Sequence, residues 1–98
     1  MFVVLISFPP IKEGKDAAFR EWFASSNRRF SGFDGFISRK LLKPAEGGSY
    51  AAVVEFENQA AFLAMHGSPA HDRAGEEVRP LFDGQPTPAF YEAIETSV

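Results

Sequence analysis

The sequence contains no cysteine, which removes disulfides, thiolate nucleophiles and cysteine-ligated zinc and makes an intracellular, cytoplasmic setting the default expectation. An excess of positive charge is also missing. Ten Lys and Arg against 13 Asp and Glu leave a formal charge of −3, the wrong balance for neutralising a phosphate backbone, so no nucleic-acid partner is expected. The basic pairs Arg28-Arg29 and Arg39-Lys40 read as solvated faces. Long hydrophobic runs are lacking too. The opening run Phe2-Val3-Val4-Leu5-Ile6 is too short to span a bilayer, has no basic start of a signal peptide and stops at Pro9-Pro10, so it reads as a strand and no membrane partner is expected.

What is present is a globular composition, 45% hydrophobic and 23% charged, in a chain of 98 residues. That length suits one domain spanning 1–98. Eleven phenylalanines are many for so short a chain, and they favour a buried interface or an apolar ligand pocket besides the core.

Phe2 to Phe8 has no polar alternation before Ser7, the pattern of a strand buried on both faces. From Gly14, residues Ala18, Phe19, Trp22, Phe23, Ser26 and Phe30 recur at spacings of three and four, the stripe of an amphipathic helix that Gly32 closes. Gly35 to Lys43 and Tyr50 to Phe56 flank the turn signal Pro44-Ala45-Glu46-Gly47-Gly48 and read as a hairpin. Asn58 caps a short helix carrying Ala61, Phe62, Met65 and His66. Gly67-Ser68-Pro69 breaks it, with serine capping and proline opening a third helical piece that ends before Pro80. Ala89 to Glu95 closes the chain as a strand.

The order is strand, helix, strand, strand, broken helix, strand: an α+β, ferredoxin-like split βαβ fold (βαββαβ, second helix broken at Gly67-Pro69) on a four-stranded antiparallel sheet. Helices cover one sheet face and leave the other bare. Because the first and third strands are apolar on both sides, the bare face is expected to be covered by a second copy, giving a homodimer to which Val4 and Ile6 contribute.

Several segments carry a family likeness: Lys12-Glu13-Gly14-Lys15, Gly32-Phe33-Asp34-Gly35-Phe36, Val54-Glu55-Phe56-Glu57 and, most specifically, His66-Gly67-Ser68-Pro69-Ala70-His71. In these the sequence resembles the antibiotic biosynthesis monooxygenase family of dimeric α+β barrels, over nearly the whole chain. The resemblance implies a homodimer with sheets packed face to face and a small apolar pocket in each subunit between sheet and helices. Members include oxygenases that need neither metal nor flavin and act on electron-rich polyketides and quinols, haem-degrading enzymes and signal-molecule isomerases, so the family name does not fix an activity.

Imidazole is the side chain best suited to move a proton near neutral pH, which makes His66 and His71 the first catalytic candidates. With the break at Gly67, His66 ends one helix and His71 starts the next, so the helix fields favour protonated His66 and neutral His71; His71 is the expected base. Both could instead merely cap helix ends. No metal is expected, since a spacing of five sends the rings to different sides of a continuous helix. Glu55, alone in an apolar strand, pairs with a base such as Arg39 or faces the pocket. Trp22, Phe23, Phe62 and Met65 line a pocket for a flat aromatic ligand or are plain core, and Ser7 points a hydroxyl into the pocket or bonds to backbone.

The first functional expectation is a cofactor-independent monooxygenase, with His71 as base and Arg39 or Tyr50 as donor to the substrate anion. The alternatives are a non-enzymatic dimer that binds a small apolar ligand, and haem degradation. For the latter the resemblance implies an asparagine on the first strand and a tryptophan and histidine on the second helical segment; Ser7, Met65 and Ala74 stand there instead.

Overall fold

Burial alternates along β1 (Phe2–Ser7): Phe2 and Val4 are buried and Ile6 packs against them, whereas Val3, Leu5 and Ser7 leave the opposite side. Successive side chains of a strand point to opposite faces, and this period of two decides which residues can meet the helices. The computed structural model describes residues 1–97. Among them the order is β1, α1 (Asp16–Phe30), β2 (Phe36–Leu42), β3 (Ala51–Phe56), α2 (Gln59–His66), α3 (Pro69–Val78), a 3-10 turn (Arg79–Leu81) and β4 (Thr87–Glu92). The strands form one antiparallel sheet in the order β2-β3-β1-β4, the ferredoxin-like α+β arrangement read from the sequence. No helix among the described residues is long and apolar enough to cross a membrane.

The stripe of α1 buries Phe19, Phe23, Ser26 and Phe30 against the sheet. Phe30 joins Phe62 and Met65 of α2 and Ala74 of α3 over Phe2, Val4, Val54 and Phe56. Phe19 and Phe23 pack with Phe8, Ala52, Val78 and Phe82. Val4 and Ile6 therefore belong to the helix-covered side, which corrects their expected place in a dimer face. The bare side carries Val3, Leu5, Val53, Leu42 and Tyr91, and there Leu5 is 41%, Leu42 44% and Tyr91 53% exposed.

Three details depart from the sequence reading. β4 starts at Thr87 and takes in Pro88, which an edge strand tolerates because one row of its backbone groups is unpaired. Ser31, not Gly32, occupies the C-cap of α1, and the left-handed turn falls at Gly35 with φ of 82°. In β2 the register against β3 slips between Phe36 and Ser38, so that Phe36 opposes Phe56 but Ser38 opposes Glu55. This bulge inserts one residue and exchanges the faces of everything after it. Arg39, which an unbroken alternation would turn to the bare side, thereby opposes Val54 on the helix side, and Lys40 takes the bare side.

Gly35 generates a stability prediction. A Cβ built there would lie 2.6 Å from Ala61 Cβ, in a backbone region that side chains disfavour. Gly35→Ala should cost about 2 to 4 kcal/mol, adding strain to overpacking. Gly75, inside α3 with nothing within 4 Å of such a Cβ, should gain about 1 kcal/mol as alanine. Urea unfolding of both variants checks the opposite signs.

Candidate active site

The sheet register lays a row of side chains, Arg39, Val54, Val4 and Phe90, across the helix-facing side. Together they floor a cavity of about 320 Å³, near the lower end of the usual ligand-pocket range. Trp22 and Phe30 of α1, Phe62, Met65 and His66 of α2, and His71, Ala74 and Val78 of α3 form the walls, with Gln85, Pro86 and Pro88 also lining it. Trp22 is fixed by its indole N–H, which donates to the Ala74 carbonyl at 2.9 Å.

The helix break brings the histidines together. Asn58 caps α2 by accepting from the Ala61 N–H at 2.8 Å, and Ser68 caps α3 by accepting from the His71 N–H at 3.2 Å. Between them Gly67 ends α2, and the change of direction leaves the two imidazole centroids 4.4 Å apart. Divergence of the rings, expected from the spacing of five, is overturned because the helix is not continuous. Phe62 packs on His66 at 5.5 Å and Phe30 on His71 at 6.0 Å between centroids. Among the described residues neither ring has a hydrogen-bond partner in the protein and no buried side-chain nitrogen is left without one, so the ring nitrogens are open to solvent or the cavity.

Burial holds the His71 imidazole below its ordinary 6.5, with repulsion from His66 second; Asp72 opposes and Arg39 adds a little. The direction expected from the helix N-terminus is found, but desolvation is its largest cause. His71 is therefore neutral at pH 7 and able to accept a proton.

Arg39 does not belong to a solvated basic pair. Its Nη1 donates to Ser26 Oγ and Asn27 Oδ1 at 2.7 Å each and to the Phe23 carbonyl at 3.3 Å. Its guanidinium carbon lies 3.9 Å from the ring centre of Phe23, 4.9 Å from Phe30 and 5.5 Å from Trp22. Burial first, and Arg29 nearby second, pull it down to about 9, which still leaves it charged at neutral pH.

Four expected site residues lie elsewhere. Ser7 projects from the bare side, one position out of phase with Val4 and Ile6. Glu55 is on that side as well, opposite Ser38, whose hydroxyl donates to it at 2.8 Å, so it neither pairs with Arg39 nor reaches the cavity. Tyr50 precedes β3 and donates its hydroxyl to Asp16, with its ring 5.0 Å from Phe19. Phe23 flanks Arg39 and is core. Conversely, Phe30, Phe90 and Gln85 line the cavity without having been singled out. Phe30 was legible on the α1 stripe; Phe90 needed the register of β4. Among the described residues no group of three or more His, Asp or Glu is placed to hold a metal ion.

A helix-roofed sheet with an apolar cavity between the layers defines a class of small α+β proteins. Within it, the chain belongs to the antibiotic biosynthesis monooxygenase family, whose model matches residues 1–77. Solved structures share the fold. The Mycobacterium tuberculosis protein Rv0793 superposes with a TM-score of 0.84 at 18% identity, over 99% of this chain and 98% of that one. SnoaB, a cofactor-independent oxygenase from Streptomyces nogalater, gives 0.78 at 22% identity, over 97% and 92%. NE2512 of Nitrosomonas europaea, a protein of unknown function, gives 0.80 at 17%, over 99% and 92%. No curated protein matches.

The lowered His71 value predicts a pH dependence. Between 6.5 and the folded-state value the unfolded chain binds a proton that the folded chain refuses, so stability falls as pH drops through that window and is unaffected by this group above 6.5. An imidazole NMR titration should place the His71 midpoint below 6.5, and His71→Asn should flatten the loss of urea stability between pH 6.5 and 5. A midpoint at or above 6.5 would contradict this.

Proposed function

We propose that the protein is a monooxygenase that works without a cofactor on a small electron-rich aromatic, quinol or polyketide-like molecule. The observation that carries this reading is the convergence of a neutral imidazole, His71, and a largely buried guanidinium, Arg39, on one apolar cavity. His71 takes a proton from an activated CH₂ of the substrate, and Arg39 steadies the enolate. The enolate gives one electron to dioxygen, and the radical pair joins in a C–O bond. The peroxide is protonated by the imidazolium; loss of the second C–H proton with O–O cleavage yields a carbonyl and water. The substrate gives up four electrons and one dioxygen accepts them, so no outside reductant enters. His66, in contact with His71, is the neighbour through which the proton can be passed on. The apolar walls keep water from the anion.

An inert ligand-binding dimer would use the same cavity but gives no role to an imidazole, His71, that lines it without a hydrogen-bond partner among the described residues. Haem degradation gains nothing from Ser7, which stands on the sheet side away from the cavity.

Oxygen uptake with 1,8-dihydroxyanthrone as probe tests the reading. One dioxygen should be consumed per quinone formed by chelator-treated protein, and His71→Ala should lower kcat about 100- to 10,000-fold. Equal rates in the two proteins would overturn it.

The bare sheet side supports a homodimer built face to face, since Val3, Leu5, Val53, Leu42 and Tyr91 make an apolar surface, with Glu55 beside Val3 and Lys40 beside Val53, that a second copy can cover by symmetry. Light scattering should give twice the chain mass at micromolar concentration. Leu5→Asp should give a folded monomer, because Leu5 takes no part in the helix-covered core. A monomeric parent protein would refute the dimer.

A further inference from the structure

We propose that the natural ligand of this cavity is an anion: a flat aromatic molecule bearing a carboxylate that docks on the guanidinium of Arg39. The inference rests on reading the cavity as the substrate site and names the class of molecule that enters it.

Arg39 is a largely buried cation with no counter-ion among the described residues. The ion pairs among the described residues join the Met1 amino group to Glu92, Lys12 to Asp83 and Arg29 to Glu77, and none involves Arg39. All three of its protein acceptors are neutral and all are reached by Nη1. Nε and Nη2, the edge that grips a carboxylate with two parallel hydrogen bonds, have no acceptor among the described residues. Among the described residues no buried side-chain nitrogen lacks a partner, so that edge is not sealed in protein; it meets open space, and Arg39 lines the cavity.

The surroundings point the same way. No aspartate or glutamate lines the cavity; its other polar side chains are His66, His71 and Gln85. An arginine needed only to tie β2 to α1 would be served by the Nη1 bonds and would gain from a carboxylate beside it. Here the charge is held by the ring faces of Phe23, Phe30 and Trp22 and left for something that arrives from outside. An incoming carboxylate supplies the missing counter-charge in an apolar place, where a paired ion is worth most. Trp22, Phe30, Phe62 and Phe90 bound the remaining space with rings, which suits a flat aromatic body.

Isothermal titration calorimetry at pH 7 with 2-naphthoate and its neutral, nearly isosteric partner 2-naphthamide tests this. The carboxylate should bind at least tenfold tighter to the unaltered protein. Arg39→Gln should abolish the preference, and Arg39→Lys, which keeps the charge without the fork, should retain part of it. Should Arg39→Gln fail to fold, the comparison of the two probes on the unaltered protein still decides. Equal or tighter binding of the amide, or no binding of either probe at millimolar concentration, would overturn the proposal. Binding needs no oxygen, so the two readings fail separately. A carboxylate preference without oxygen uptake upholds the anion site and refutes the oxygenase, whereas turnover of 1,8-dihydroxyanthrone without that preference does the reverse.

Discussion

Taking most of a guanidinium out of water is costly unless hydrogen bonds offset the loss, and this molecule does so at one position of one strand, with all the protein bonds made by Nη1. The extra residue between Phe36 and Ser38 turns Arg39 under α1, where Ser26, Asn27 and the Phe23 carbonyl accept from it. The same bonds tie β2 to α1. Ser26, wholly buried on an otherwise aromatic stripe, has a clear reason to be polar: its hydroxyl donates to the Phe23 carbonyl and its oxygen accepts from Arg39. Without the bulge Arg39 would lie on the bare side and Lys40 under the helices, and the bonds from Nη1 to Ser26 and Asn27 would be lost.

The other half of the site depends on a helix that stops and restarts. Two caps, Asn58 and Ser68, fix where α2 and α3 begin, and the turn between them sets His66 against His71. His66 is exposed and His71 half-buried, so of the two imidazoles in contact it is His71 whose protonated form is disfavoured, by burial first and by its neighbour second. A half-buried imidazole, His71, and a charged guanidinium, Arg39, thus reach one cavity from opposite layers, α3 and β2. Their meeting depends on the packing of Phe30, Phe62 and Met65 between helices and sheet.

The fold was legible because its signals are local. Phenylalanines at helical spacing, the Gly47-Gly48 turn, and the Asn58 and Ser68 caps each act within a few residues, and each is found where the sequence put it. The helical half of the site was legible for the same reason: Trp22, Phe62, Met65, His66 and His71 all line the cavity. The sheet half was not. A strand's period of two makes a residue's face depend on register, and one bulge exchanged the roles of Arg39 and Lys40 with no mark in the composition of Phe36 to Lys43. Ser7 and Glu55 went astray by the same logic, each polar in an apolar strand yet out of phase with the cavity. Tyr50 precedes the pairing of β3, and its hydroxyl is engaged by Asp16, a partner 34 positions away.

The central claim is that Arg39 and His71 face one ligand in one cavity. Nitrogen-15 NMR of the arginine Nε–H and histidine ring signals, followed during addition of 2-naphthoate, tests it most directly. The account predicts that Arg39 Nε–H and the His71 ring shift together, saturating at one ligand per chain, while the backbone signals of Leu5, Leu42 and Tyr91 on the bare side stay in place. Shifts confined to that bare side, with Arg39 and His71 unmoved, would contradict it.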